Sequence, residues 1–197
     1  MSARFAPGAW RRASLGALLP VLPAILIAES LLVLSVLAAL GVLWFHRDPS
    51  REPPGRGIVS PADGRITVVR AEGDRVRVGI FMGLRDVHVN RAPAGGTVES
   101  VEHVPGGHLP AFSKEAERNE RLHIDYGRYK LTLIAGTVAR RVWPYVEAGA
   151  STVQGQRIAH VTFGSRADVL LPPGTSLDAL CVEQGQTVRA GETVLLE

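Results

Sequence analysis

A glycine followed by a serine, Gly164-Ser165, stands in the phrase HVTFGSRADVLLP (160–172) between two apolar runs. A serine hydroxyl becomes a nucleophile where a base takes its proton. Gly164 offers it a target: no side chain shields its carbonyl, and it accepts backbone angles that other residues resist. Attack by Ser165 Oγ on that carbonyl would convert the intervening amide to an ester. A Gly-Ser pair is equally an ordinary bend between strands, with no chemistry attached. Three histidines compete as the base. His88 leads: in DVHVN, strand alternation puts it on one face with Asp86 and Asn90, a polar stripe in an apolar region. His160 lies five residues before Ser165 and in a regular strand would point to the opposite side; His103 is the third. Arg91, Arg140, Arg141 and Arg166 are candidate contacts for an anionic substrate, although Arg140-Arg141 fits the solvated edge of a strand as well. No H-x-x-H or C-x-x-C spacing occurs, so no metal is expected.

From Gly57 onward, short apolar alternations are broken by Gly and Pro, which predicts a mainly β domain over 57–197, a compact barrel or sandwich. GRITVVRAEGDRVRVGIFM reads as two strands around Glu72-Gly73-Asp74, and KLTLIAGTVARRVWPYV as two more around Ala135-Gly136. SKEAERNERLHIDY reads as a polar insertion before a strand, with room for a short helix near 113–121. SPADGRI (60–66), APAGGTV (92–98) and LPPGTSL (171–177) each read as a turn feeding a strand. The final VEQGQTVRAGETVLLE resembles the short strands of biotinyl and lipoyl carrier domains, members of the barrel-sandwich hybrids. It holds no lysine to modify, so the likeness concerns architecture alone.

Residues 13–45 carry one ionisable side chain, Glu29, and are long and apolar enough for a tilted membrane-embedded helix or a helical hairpin. Pro20 and Pro23 would kink the first half, and Glu29-Ser30 near the midpoint suits a hairpin turn. Arg4, Arg11 and Arg12 precede the segment and Arg47, Arg51 and Arg56 follow it, so both ends are expected on the cytoplasmic side. A signal peptide is the competing reading, but no convincing cleavage site follows. The expected organisation is a basic N-terminus (1–12), the membrane segment (13–45), a proline-rich linker (46–56) and the β domain.

At 197 residues the chain suits one ordinary domain plus this surplus. A net charge of +3 favours an anionic partner only weakly, and no nucleic acid is expected. The single cysteine, Cys181, excludes an internal disulfide.

FGSRADVLLP resembles the self-cleavage segment of the short, prokaryotic-type phosphatidylserine decarboxylases. FHRDPSREPP, VSPADGRI, FMGLRDVHVNRAPAGGTV, ERNERL, IAGTVARR and GQRIAHVTFGSR are similar to other phrases of that family and run in its order. The resemblance implies a proenzyme cut between Gly164 and Ser165 into a large chain (1–164) and a small chain (165–197) that remain together. Ser165 would become a covalent pyruvoyl group, a ketone able to form a Schiff base with the amine of phosphatidylserine in the membrane. Loss of CO2 would then give phosphatidylethanolamine. The same headgroup on an archaeal-type ether lipid would need hardly any change in the site. In longer members of the family, an Asp of the PADG phrase and a His of the DVHVNRAP region assist the serine. Carried over, these are Asp63 and His88, although Asp63-Gly64 is also a common turn pair. Those members have a second histidine three residues on, where this chain has Arg91. A membrane-tethered binding module, which would never cleave itself, is the alternative from another class.

Overall fold

The computed structural model describes residues 21–111, 116, 118–137, 141–162 and 164–197. They divide into two units, Met1–Trp44 and Phe45–Glu197. In the first, helix α1 (Val21–Phe45) begins. Its stretch Ile25–Phe45 is long and apolar enough to cross a membrane. The helix continues unbroken through Glu29 and Ser30, where the hairpin alternative placed its turn. Pro23 sits in the first turn, where no intrahelical N–H is missed. Ser30 and Ser35 donate their hydroxyls to the carbonyls of Leu26 and Leu31, both at 2.8 Å, so neither needs a partner outside the helix. Residues 13–20 lie outside the described residues.

The second unit is built from β1 (Ile58–Val59), β2 (Gly64–Glu72), β3 (Arg75–Met82), β4 (Val89–Arg91), β5 (Gly96–Thr97), β6 (Ser100–Val104) and β7 (Arg121–Asp125). The chain continues through β8 (Lys130–Ile134), β9 (Val142–Pro144), β10 (Ser151–Thr152), β11 (Arg157–Val161), β12 (Ser165–Leu170), β13 (Thr187–Val188) and β14 (Val194–Leu196). The main sheet has the order β13-β2-β3-β12-β8-β7-β6 and a smaller one β4-β11-β9; β5 pairs with β10 and β1 with β14. The expected mainly β fold is therefore present. β2 and β3 form the hairpin anticipated around Gly73. β8 and β9, by contrast, do not pair with each other but enter different sheets. LPPGTSL leads into a short 3-10 turn, Leu177–Ala179, rather than a strand. Of the short helix considered near 113–121, residues 113–115 and 117 lie outside the described residues, and Arg121 already belongs to β7.

Alternation explains the core. In β3 the buried side chains Val76, Val78, Ile80 and Met82 recur at every second position, and in β8 Leu131 and Leu133 do the same. They join Ile158, Ala159 and Val161 of β11 in one cluster, so the smaller sheet contributes to the same core. β12 lies between β3 and β8, and each residue from Ser165 to Val169 is buried. Ala167 and Val169 belong to the core. By alternation Ser165 faces the same way, and Arg166 and Asp168 face the other.

Candidate active site

Gly164 and Ser165 lie where the chain leaves the small sheet and enters the large one. β11 ends at Val161 and β12 begins at Ser165. The reading that placed Ser165 in a bend between strands is off by one residue: Ser165 already pairs with Met82 of β3, and the bend lies before it. Gly164 has φ +77°, and a Cβ there would find no atom within 4 Å. The scissile-bond candidate thus joins an uncrowded residue in the left-handed region, which glycine adopts freely, to one held in a sheet. The Ser165 hydroxyl is fully buried and has no hydrogen-bond partner among the described residues.

Two further side chains with orphaned polar atoms come from the segment that follows β3. His88 immediately precedes β4, and its carbonyl accepts the Val161 N–H at 3.2 Å, which ties it to the strand leading to Gly164. His88 is 1% exposed, and among the described residues neither ring nitrogen has a hydrogen-bond partner in good geometry, although the Asp86 backbone lies near enough to favour the charged ring. Phe45 packs on it with ring centroids 4.4 Å apart. Burial pushes its pKa down to about 4, only partly opposed by the Asp86 backbone; the nearby His160, Arg47 and His46 depress it further. Asn90 is also buried: its Nδ2 donates to Met82 Sδ at 3.6 Å, while Oδ1 is unpartnered. Since Met82 is the register partner of Ser165, Asn90 belongs to this corner, and the polar stripe in DVHVN was the signal for it.

The other candidates are placed differently. Asp63 makes no hydrogen bond to His88. Its Oδ2 accepts from Arg51 at 2.7 Å and its Oδ1 from the Ala190 N–H at 2.8 Å. Arg51 also reaches Glu192 at 3.4 Å. Arg91 is buried and committed to Asp48 (2.6 Å) and to the carbonyls of Pro49 (3.0 Å) and Gly155 (3.0 Å). Asp48 also pairs with Arg157. The 46–56 stretch, expected as a proline-rich linker, is pinned to the β domain by ion pairs that its proline content did not announce. Arg166 is buried against Asp168, with bonds of 2.7 and 3.0 Å, and donates to the Ala111 carbonyl at 3.1 Å. Arg141 is exposed and lines a cleft with His103, Glu120 and Trp143. Arg140 lies outside the described residues. His160 contacts His46 at 3.3 Å and packs near Trp143, and its pKa is lowered by burial first and His46 second. His103 pairs with Glu120 at 3.0 Å.

The family model described as phosphatidylserine decarboxylase matches residues 39–196. The chain belongs to the phosphatidylserine decarboxylase family. A Halobacterium salinarum protein named "Putative archaetidylserine decarboxylase proenzyme" is 57% identical over 164 residues, covering 83% of this chain and 84% of that one. A Streptomyces coelicolor phosphatidylserine decarboxylase proenzyme is 50% identical over 171 residues, 84% of this chain and 77% of its own. A Thermobifida fusca protein of the same name is 48% identical over 172 residues, 85% of this chain and 78% of its own. The chain is thus an enzyme of the phosphatidylserine decarboxylase type.

Proposed function

We propose that this chain is a self-cleaving, pyruvoyl-dependent decarboxylase of a serine phospholipid, phosphatidylserine in the first instance, releasing phosphatidylethanolamine and CO2. The observation that carries the reading is the buried, unpartnered Ser165 hydroxyl directly after a glycine at φ +77°. Such an orphaned atom is costly in a structural residue and expected of a nucleophile.

In maturation, Ser165 Oγ attacks the Gly164 carbonyl carbon, the C–N bond breaks and an ester joins the two. Loss of the Ser165 α-proton expels the Gly164 carboxylate, dividing the chain into 1–164 and 165–197. The dehydroalanine left at residue 165 tautomerises and is hydrolysed with release of ammonia, leaving the pyruvoyl group. That group supplies an electron-withdrawing ketone that condenses with the substrate amine and takes up the electron pair freed as CO2 leaves. In this reading His88, held neutral at physiological pH by burial, accepts the serine proton and later returns a proton to the substrate carbon. Asp63 is assigned an orienting role exercised through Arg51 and the Ala190 N–H, which links the segment before β2 to the small chain. Of the four arginines proposed for the substrate anion, Arg91 and Arg166 have carboxylate partners, which leaves Arg141 as the best candidate; Arg140 remains a sequence-based one.

Strands β12, β13 and β14 all come from the proposed small chain and pair with strands of the large one, so cleavage would leave a heterodimer. The proposed organisation keeps 1–12 as a basic N-terminus, 13–45 as the membrane segment, 46–56 as a docked connection and 57–197 as the catalytic domain, on the cytoplasmic side of the cell membrane. The Halobacterium salinarum relative supports a second substrate, the ether-linked archaetidylserine, which offers the same headgroup. Intact mass of the purified full chain beside Ser165→Ala tests the proposal. Two chains are expected from the wild type, the small one lacking a free amine and lighter by one ammonia than a serine-initiated chain, with the variant whole. A wild type that stays whole when folded would leave Ser165 as an ordinary first residue of β12.

A further inference from the structure

Of the phrases ERNERL and IAGTVARR, only Arg140 and Arg141 have been given a part in the chemistry above, yet both phrases bear on the Gly164 carbonyl. Gly136 lies against it. A methyl on its α-carbon would overlap the Gly164 oxygen and stand 2.8 Å from the carbonyl carbon. Gly136 is not required for its backbone angles, because its φ lies outside the left-handed region. What demands glycine there is the close approach. The wall it forms is held rigidly: Asn119, fully buried, donates through Nδ2 to the carbonyls of Ala135 (2.8 Å) and Leu109 (2.6 Å) and accepts the Leu109 N–H at Oδ1 (2.8 Å). The Ala135 N–H is bound in turn by the Glu120 carbonyl at 2.9 Å. Across from this wall, Ser165 is fixed by its pairing with Met82, whereas the Cβ position of Gly164 opens on empty space.

We propose that Gly136 is a positioning residue for self-cleavage, its bare α-carbon, anchored through Asn119, setting where the Gly164 carbonyl stands for attack by Ser165. The inference rests on Gly164-Ser165 being the bond that is cut. In that step the Oγ–C bond forms, the C–N bond breaks and the hydroxyl proton ends on the Ser165 nitrogen, so the carbonyl carbon must face Oγ. A methyl at 136 cannot be relieved towards Ala135, whose N–H and carbonyl are both bound. It is relieved where space exists, by turning the Gly164 peptide away from Ser165. A displacement of about 1 Å at a reacting atom costs on the order of 100-fold in rate.

The test compares maturation of full-length wild type, Gly136→Ala and Gly95→Ala in detergent, the last being a control site where a Cβ meets nothing closer than 3.4 Å. Chain cleavage is followed by denaturing mass, an ester at Gly164 by its sensitivity to hydroxylamine, and folding by circular dichroism. Gly136→Ala is expected to give a folded precursor that matures about 100-fold more slowly and has no hydroxylamine-sensitive bond, while Gly95→Ala matures like wild type. Maturation of Gly136→Ala at the wild-type rate would overturn the inference. So would accumulation of the ester, because attack would then have succeeded, and so would an unfolded variant, because the methyl should be absorbed at Gly164 without loss of the core. A wild type that is never cut removes the underlying reading and this one with it, whereas the other failures leave the cleavage reading standing.

Discussion

The two faces of β12 bury polar groups in opposite ways. On one, Arg166 and Asp168 satisfy each other through two hydrogen bonds, with Arg77 3.6 Å from the Asp168 carboxylate and the Ala111 carbonyl completing the Arg166 fork. On the other, Ser165 has no partner among the described residues; away from β12, His88 and Asn90 also carry unpaired buried atoms. Leaving a buried polar atom unpaired costs about 1–3 kcal/mol. The first face behaves as framework; in the proposed function the second holds its groups for a bond that maturation and substrate would supply.

The contrast is broken or kept by substitutions on each face. Ser165→Ala should abolish chain cleavage while leaving stability unchanged or slightly raised, since it removes an unsatisfied hydroxyl. Asp168→Ala, made in the Ser165→Ala background so that both chains are uncut, should lower stability by about 3–5 kcal/mol in urea unfolding, because Arg166 is left charged and buried. A cost below about 1 kcal/mol would show the two faces to be alike.

His88 sharpens the comparison through pH. Its pKa falls from the usual 6.5 to about 4 because burial disfavours the charged ring. The unfolded chain therefore binds a proton at this site between about pH 6.5 and 4 that the folded chain does not. The stability that neutral His88 confers is complete above about 6.5 and lost as pH falls towards 4, a difference of about 3 kcal/mol. His88→Gln should flatten that part of the curve, leaving the same-signed contributions of His123 and His160, and should slow self-cleavage. In wild type the cleavage rate should hold from neutral pH down to about 5 and fall only near 4. A decline centred near 6.5 would assign the base to an unburied histidine.

Asp63 tests whether its role is framework or chemistry. Asp63→Asn weakens its bond with Arg51, which keeps Glu192, so a loss of about 1–2 kcal/mol is expected with slowed but not abolished cleavage. Complete loss of cleavage at unchanged stability would restore a direct link to His88 that the resting geometry lacks.

The strands flanking Gly73 were legible because period-two alternation and turn glycines are local signals, whereas β12 begins at Ser165, inside the step the sequence presented as a bend. Gly164 and Ser165 were legible through their neighbours in the phrase. The partners of Asp63, Arg91 and Arg166 were not. An arginine that will fork onto a carboxylate looks, in sequence, like one awaiting a phosphate, and only the long-range register that sets Asp48 beside Arg91 separates them. Asp168 was harder still, since its pairing with Arg166 two residues away depends on both lying on the face of β12 opposite the core. Gly136 was visible as part of a motif, but its reason, a carbonyl pressed against its α-carbon, arises only when β8 is laid beside β12.

The smallest effect lies at the rim of the framework face. Glu72 holds Arg77 through bonds of 2.5 and 2.7 Å, and this, more than the weaker pull of Arg70, keeps its pKa below the usual 4.5. The carboxylate is 40% exposed, so water and salt screen it. Its depressed pKa means that its contribution is present above about pH 4.5 and fades as pH falls below that value. Glu72→Gln should cost only about 0.2–1 kcal/mol, less at high salt, with maturation unaffected. Yet Arg77 also reaches Asp168, so a larger loss, coupled in a double-mutant cycle to Asp168→Ala, would mean that the buried pair depends on its exposed neighbour to hold Arg77 in place.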